Sequence, residues 1–382
     1  MNEVFINYLS AVMPNEPVNN DEMEEVLGFI GGMRSRARKI VLKSNGIKSR
    51  HYVFKDGKLL FTNAKLAALA VEELGAKGAD LENLELLACG TSLPDQTMPN
   101  HALMVHGELK AKPMEAVSTA GICVSGIMAL KYAYMSVALG LTRNAVAVGS
   151  ETASQLLRKE NFEAESAFKL EALEKNPEIS FEKDFLRWML SDGAGALWLS
   201  SRPNESGVSF KINWIEQVSY AGEMPVCMYA GAHIDDEGRF NGYLTYSQDE
   251  RQKLSIFSIK QDVRLLNENI VEYTVIKPVR EIVKKRALSA NDIDYFLPHY
   301  SSHYFKDKTY EGLKKAGFEI GYDKWFTNLY EKGNTGAASF YIILEEFARI
   351  KPLKSGSKIL CFIPESGRFS TAFVLLEAVV KQ

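Results

Sequence analysis

The stretch "GADLENLELLACGTSLPD" (78–95) sets a polar, Asn/Asp-bearing lead before a short apolar run that ends in small and polar residues. An apolar run of that length, bounded by turn residues, reads as a buried β-strand. The pattern returns in "LSANDIDYFLPHYSSHYF" (288–305). Each copy follows a helix-like segment, "NAKLAALAVEELGAKG" and "YTVIKPVREIVKKRA", in which apolar residues recur at three- and four-residue intervals. Farther on, "NAVAVGSETAS" (144–154) and "SKILCFIPESGRFSTAFVLLEAVV" (357–380) both place a buried-type strand just before Gly, Ser and Glu residues. A duplicated α/β unit accounts for these pairs better than two unrelated domains. The expected halves are 1–203 and 204–382, and the charged stretch 156–185 is read as a surface excursion near the mouth of a site.

Composition narrows the function classes. The chain has 382 residues, 46% of them apolar, enough for a substantial core. Its net charge of -3 argues against general nucleic-acid binding. The opening "MNEVFINYLSAVMPNEPVNN" lacks the basic start and apolar region of a signal peptide, and no apolar run reaches the ~18 residues of a membrane span. Four cysteines (Cys89, Cys123, Cys227, Cys361) at wide spacing fit neither a disulfide framework nor a metal site, so a reducing, cytoplasmic setting is expected. One local feature survives the averaging: residues 33–58 hold nine Lys or Arg and a single acid, Asp56. They read either as a solvated helix face or as a patch for an anionic partner such as a phosphopantetheine carrier.

Chemistry enters at "STAGICVSGIMALKYAYMSVALG" (118–140). The small residues permit a tight strand-to-helix turn, and the apolar segment after Cys123 marks a buried helix. At that helix's N-terminus, unpaired N–H groups and the helix dipole would favour a nucleophilic thiolate and could hold an oxyanion. The alternative is a cysteine serving as a small core hydrophobe. Among six histidines, His299 follows the apolar "DYFLP" at a strand end, where ligand sites open in α/β sheets. Asn334, between two glycines in "EKGNTGAAS", precedes a second small-residue helix start. A neutral imidazole and an amide could together polarise a thioester carbonyl; Asn334 taken alone reads as a turn or cap residue.

These residues carry a resemblance. Over nearly its full length the chain resembles the type III β-ketoacyl-(acyl carrier protein) synthases, thiolase-fold condensing enzymes. The opening "INYLSAVMPNEPVNNDEME", "SNGIKSRHY", "LLACGTSLPD", "STAGICVSGIMAL", "SDGAGALWL" (191–199), "LPHYSSHYF" and "EKGNTGAAS" are each similar to a family motif and occur in the family's order. The resemblance implies a layered α-β-α-β-α thiolase fold, a homodimer and a Cys123, His299, Asn334 triad. Cys123 would be acylated, and its backbone N–H would supply an oxyanion donor. His299 and Asn334 would hold the second thioester's carbonyl while it becomes a carbanion. The acyl groups would arrive on the phosphopantetheine of an acyl carrier protein or coenzyme A, with no cofactor or metal in the enzyme. Arg36, Lys48 and Arg50 become candidates for the docking face, and Met98 matches a tunnel residue contributed across the dimer in some members.

The departures sharpen the reading. Where the family has a glycine triplet, this chain has "IPESGRFSTA". Glu365 is read first as a loop partner of Arg368. The alternative sets Glu365, Ser366 and Gly367 near Cys123 as an additional acid/base or oxyanion loop. The "PESGRF" and "NGIKSRHY" segments are similar to condensing enzymes that join two fatty-acyl-derived units into a cyclohexanedione, a precursor of dialkylresorcinols. The plainer expectation is an initiating ketosynthase using a malonyl carrier, and a third is a non-condensing binding subunit. His303, four residues from His299, indicates no metal pair without a third ligand. Cys361 as a degradative thiolase base is disfavoured by its apolar "KILCFIP" setting.

Overall fold

The computed structural model describes residues 1–35, 38–162 and 186–381. Nine strands form one sheet: β1 (Phe5–Val12), β2 (Leu86–Thr91), β3 (Glu115–Ala120), β4 (Asn144–Glu151), β5 (Gly193–Ser200), β6 (Gly207–Ser219), β7 (Tyr295–Pro298), β8 (Lys358–Glu365) and β9 (Ser370–Lys381). The main helices are α1 (Asn63–Ala76), α2 (His101–Leu109), α3 (Val124–Leu139), α4 (Val263–Val271), α5 (Lys277–Arg286), α6 (Lys306–Lys315) and α7 (Ser339–Ile350). The spatial strand order is β7-β8-β9-β6-β1-β5-β4-β2-β3.

Read outward from the centre, the order repeats. On one side β1, β5 and β4 run antiparallel to their neighbours, and β2 then pairs parallel to β4 and β3 parallel to β2. On the other side β6, β9 and β8 are antiparallel and β7 is parallel to β8. A parallel bridge from Phe296 to Trp325 stands where the first half has β3. β1 and β6 join the halves antiparallel. The sequence pairs 78–95 with 288–305, and 144–154 with 357–380, fall at equivalent places in this scheme.

Strand periodicity distributes the core. On β2, Leu86 and Ala88 face one apolar cluster while Leu87 and Cys89 face another, because successive side chains point to opposite sheet faces. The inner cluster holds α3 and α7 against strands of both halves. One outer cluster packs α1 and α2 on the first half, and the other packs α5 and α6 on the second. Five layers result, with two strand layers each buried on both faces, which explains their near-continuous apolar sequence. The central helices approach so closely that a Cβ on Gly126 of α3 would lie 2.2 Å from the Ala337 carbonyl oxygen. Beside it, the Tyr341 hydroxyl of α7 donates to the Gly126 carbonyl at 2.7 Å.

A fourth cluster, from 23–52, 153–157, 186–190 and 224–270 among others, includes Met23, Leu157, Trp188, Met224 and Tyr300. The stretch 156–185 falls largely outside the described residues. Its first part corrects the surface expectation: Leu157 and Phe162 are buried, and the Arg187 Nε donates to the Leu157 carbonyl at 2.8 Å.

Candidate active site

Cys123 immediately precedes α3 and already has helical dihedrals (φ -61, ψ -34). It lines a largely apolar cavity of about 310 Å³ with Glu151, Asn334 and Ser366. Leu190, Met228, Leu266, Ile270 and Phe362 contribute to its walls. One wall comes from α4 and the π-helical turn Glu272–Ile276 that follows it, through Val271, Thr274 and Val275.

The expected Glu365–Arg368 pairing is not what forms. Arg368 Nε donates to the Met224 carbonyl at 3.1 Å. Glu365 reaches across to the nucleophile turn, where its Oε2 accepts the backbone N–H groups of Ile122 and Val124, both at 3.0 Å. This corrects the electrostatics expected for Cys123 as well, because the N–H groups on either side of it are occupied by a carboxylate. Burial raises the Cys123 thiol well above its ordinary value, Glu365 and Glu151 raise it further, and its own N–H opposes them. The resting residue is therefore a thiol, and it needs a proton acceptor to become a nucleophile. Burial also pushes the Glu365 carboxyl up, against the two N–H bonds that lower it. Ser366 Oγ accepts from Gln261 Nε2 at 2.9 Å, and the Gly367 carbonyl accepts the Cys227 N–H at 2.8 Å, so the 365–367 loop is fastened at both ends.

His299 lies directly beyond β7, its N–H donating to the Phe362 carbonyl at 2.8 Å. Burial lowers its imidazole to about 4, so it is neutral at pH 7 and able to donate one hydrogen bond. The next two residues, Tyr300 and Ser301, line the cavity. Asn334 is held by its backbone, donating to Met189 at 2.9 Å and accepting from the Ser191 N–H at 2.8 Å. Its Oδ1 accepts the Gly336 N–H at 3.0 Å, which leaves the Nδ2 hydrogens to donate. The cavity thus has a thiol, a buried carboxyl and an amide donor on its lining; His299 itself is not among the lining residues, though the two residues that follow it are.

Other expected residues lie elsewhere. Arg50 is no docking residue: it is fully buried, with Nη1 donating to Asn20 Oδ1 at 2.6 Å and Nη2 to the Trp188 carbonyl at 2.8 Å. Burial lowers its guanidinium to about 10. Lys48 is exposed, 3.9 Å from Glu331, and Arg36 is outside the described residues. Met98 is 82% exposed and does not line this chain's own cavity. His303 binds the Tyr330 hydroxyl at 2.8 Å through Nδ1. Cys361 and Cys89 are core residues, and among the described residues no group of three His, Cys, Asp or Glu has metal-binding proximity.

The residue that motif reading missed is Glu151, the last residue of β4, in "VGSET". It is 2% exposed, and its Oε2 accepts from the Ser92 hydroxyl and, at 3.4 Å each, from the N–H groups of Ser92 and Ala337. Its one sequence signal is an acid at the end of an otherwise apolar strand. Asp192, also fully buried, is instead structural: it accepts from the Ser154 hydroxyl and, at 2.7 Å, from the Val53 N–H.

Comparison with known proteins adds the family. Residues 283–375 match the model of the 3-oxoacyl-[acyl-carrier-protein (ACP)] synthase III C terminal. Beta-ketoacyl-[acyl-carrier-protein] synthase III from Sulfurovum sp. (strain NBC37-1) is 23% identical over 359 residues, covering 92% of this chain and 89% of that protein. The enzyme of the same name from Streptococcus sanguinis (strain SK36) is 24% identical over 353 residues, covering 91% and 90%. Among solved structures, AbyA1, a tetronic acid condensing enzyme, superimposes with a TM-score of 0.72 at 20% identity, covering 98% of this chain and 99% of that one. Xanthomonas campestris OleA gives a TM-score of 0.73 at 18% identity, covering 99% and 98%. Over nearly its full length the chain is similar to the 3-oxoacyl-[acyl-carrier-protein] synthase III acyltransferases, and it has their thiolase fold.

Proposed function

We propose that the protein joins two acyl thioesters by a Claisen condensation through an acyl-Cys123 intermediate. The observation that supports this most directly is the shared, largely apolar cavity lined by Cys123, Asn334 and Glu151, with Tyr300 and Ser301, the residues after the buried neutral His299, also on its lining. In the first step the thiol passes its proton to a neighbouring carboxyl, such as Glu365, which binds the N–H groups on either side of Cys123, and attacks the donor thioester. The departing thiolate takes that proton back. In the second step His299 and Asn334 Nδ2 hold the other thioester's carbonyl oxygen as an enolate develops, worth about 10²–10³ in rate for each donor. The enolate carbon attacks the acyl-Cys123 carbonyl, and the cysteine leaves.

The apolar walls suit fatty-acyl-derived chains, since each buried CH₂ contributes about 0.8 kcal/mol. Glu365 against the nucleophile turn favours a reaction with an extra proton transfer, such as the ring-closing step toward a cyclohexanedione precursor of dialkylresorcinols. Donors would come on an acyl carrier protein or coenzyme A, with exposed Lys48 in the docking face. The protein would act as a homodimer, exposed Met98 facing the second copy. OleA has been crystallised with lauric acid and lauroyl-CoA, which makes lauroyl-CoA a natural first donor to try. Intact-mass measurement after incubation with acyl thioesters tests the reading: the wild type gains one acyl group and Cys123→Ala gains none. Equal acylation of both would overturn it.

A further inference from the structure

Glu151 and Glu365 end equivalent strands of the two halves and both act electrostatically on Cys123. Both are held through Oε2 alone, Glu365 by the Ile122 and Val124 N–H groups and Glu151 by the Ser92 hydroxyl and the N–H groups of Ser92 and Ala337. Glu151 Oε1, however, is buried without a hydrogen-bond partner among the described residues. Glu151 nevertheless lines the cavity together with Cys123 and Asn334. A buried carboxyl oxygen left without a partner is costly unless a ligand group meets it.

The surroundings are shaped to hold the carboxyl there. Gly336, two residues after Asn334, has φ +52, and a Cβ on it would lie 2.6 Å from Glu151 Oε2. The Ser92 hydroxyl and the Ala337 N–H orient the other oxygen. Burial, with a smaller push from Asp192, raises the Glu151 carboxyl to about 7, where a general base near neutrality works best.

We propose that Glu151 Oε1 is the base that removes an α-proton from the second thioester. The second substrate is then a carbon acid, an acyl or 3-oxoacyl thioester, rather than a malonyl half-ester. This rests on the condensing reading above. Glu151 in the ionised form that a base requires repels a malonyl carboxylate entering the same cavity, whereas a C–H acid enters neutral. The step balances without a co-reactant. The α C–H bond breaks, its proton goes to Oε1 and its electron pair to the enolate held by His299 and Asn334. The new C–C bond forms as the C–S bond to Cys123 breaks. The cysteine thiolate then takes the proton from Glu151, restoring both groups and releasing a 3-oxoacyl thioester.

The test uses the full-length protein in D₂O with octanoyl-coenzyme A and, separately, 3-oxooctanoyl-coenzyme A. Deuterium at the α-carbon is read by mass spectrometry, and Cys123 acylation is followed in parallel. Enzyme-dependent exchange is expected, lost about 100-fold or more in Glu151→Gln. Wild-type exchange should also rise with pH through neutrality; the ionisable neighbours are Cys123, Asp192 and, next to Cys123, Glu365. Exchange in Glu151→Gln equal to wild type would overturn the assignment. So would pH-independent exchange in the wild type, a readout that needs no variant to fold, or carbon–carbon bond formation only with malonyl-coenzyme A. Exchange without any acylation of Cys123 would instead remove the acyl-enzyme reading and leave the base in place.

Discussion

The two halves share a strand scheme but divide the chemistry. The first half supplies the thiol at the start of α3, and the second supplies His299 beyond β7 and Asn334 ahead of α7. Each half also ends its equivalent strand in a glutamate that crosses to the other half's central helix. Glu365 accepts N–H groups beside Cys123, and Glu151 accepts the N–H of Ala337 just before α7. Both carboxyls are gripped through Oε2, but they stand in different places: Glu365 flanks the thiol on the nucleophile turn, whereas Glu151 lines the cavity with its Oε1 buried and unpartnered among the described residues. The duplicated scaffold thus gives equivalent strand ends different surroundings.

The largest effects should separate the halves by step. Asn334→Ala is expected to lower carbon–carbon bond formation about 10²- to 10³-fold while Cys123 still acylates at near the wild-type rate. Single-turnover mass spectrometry resolves the two steps, and equal loss of both would break the division. Next, Gly126→Ala drives a methyl into the Ala337 carbonyl at 2.2 Å, so both steps should slow together. The melting temperature should fall with a cost of about 1–3 kcal/mol, as overpacking does. A wild-type melting curve with unchanged rates would contradict the close approach. The smallest effect concerns the glutamate that flanks the thiol. Glu365 is the larger of the two carboxyl causes that raise the Cys123 thiol, so Glu365→Gln removes a negative charge and moves that thiol down. Iodoacetamide should then alkylate Cys123 about threefold or more faster at pH 8, with the rate–pH curve displaced to lower pH. An upward displacement would mean that Glu365 acts on the thiol chiefly by supporting the turn.

Much of this was legible in the sequence because strands buried on both faces write their burial as continuous apolar runs. "LELLACG" and "DYFLP" announce equivalent strands, and "STAGIC" announces the turn into a buried helix. What sequence could not supply was contact at long range. Glu151 reads as an acid ending a strand until Ala337, far along the chain, donates to it. Glu365 stood out as a departure from a glycine pattern, but its partner was misread. Arg368 lies three residues away and looked the natural counter-ion, whereas backbone N–H groups from the other half do the binding. Arg50 failed for a related reason. A basic stretch looks solvated as a whole, and only the fold turns one of its guanidiniums inward onto Asn20 and the Trp188 carbonyl.

The contact of α3 with α7 through Gly126, Ala337 and Tyr341 joins positions three residues beyond Cys123 and three beyond Asn334. It fixes the spacing of the reacting groups from inside the innermost layer of the molecule. Much of the cavity wall, by contrast, comes from α4, its π turn and the 186–190 segment. What reaction is performed and which chain lengths are accepted therefore lie under separate sequence control. Selection can resize the chamber without retuning the chemistry, and a family built this way can diversify its products while its reactive centre stays put.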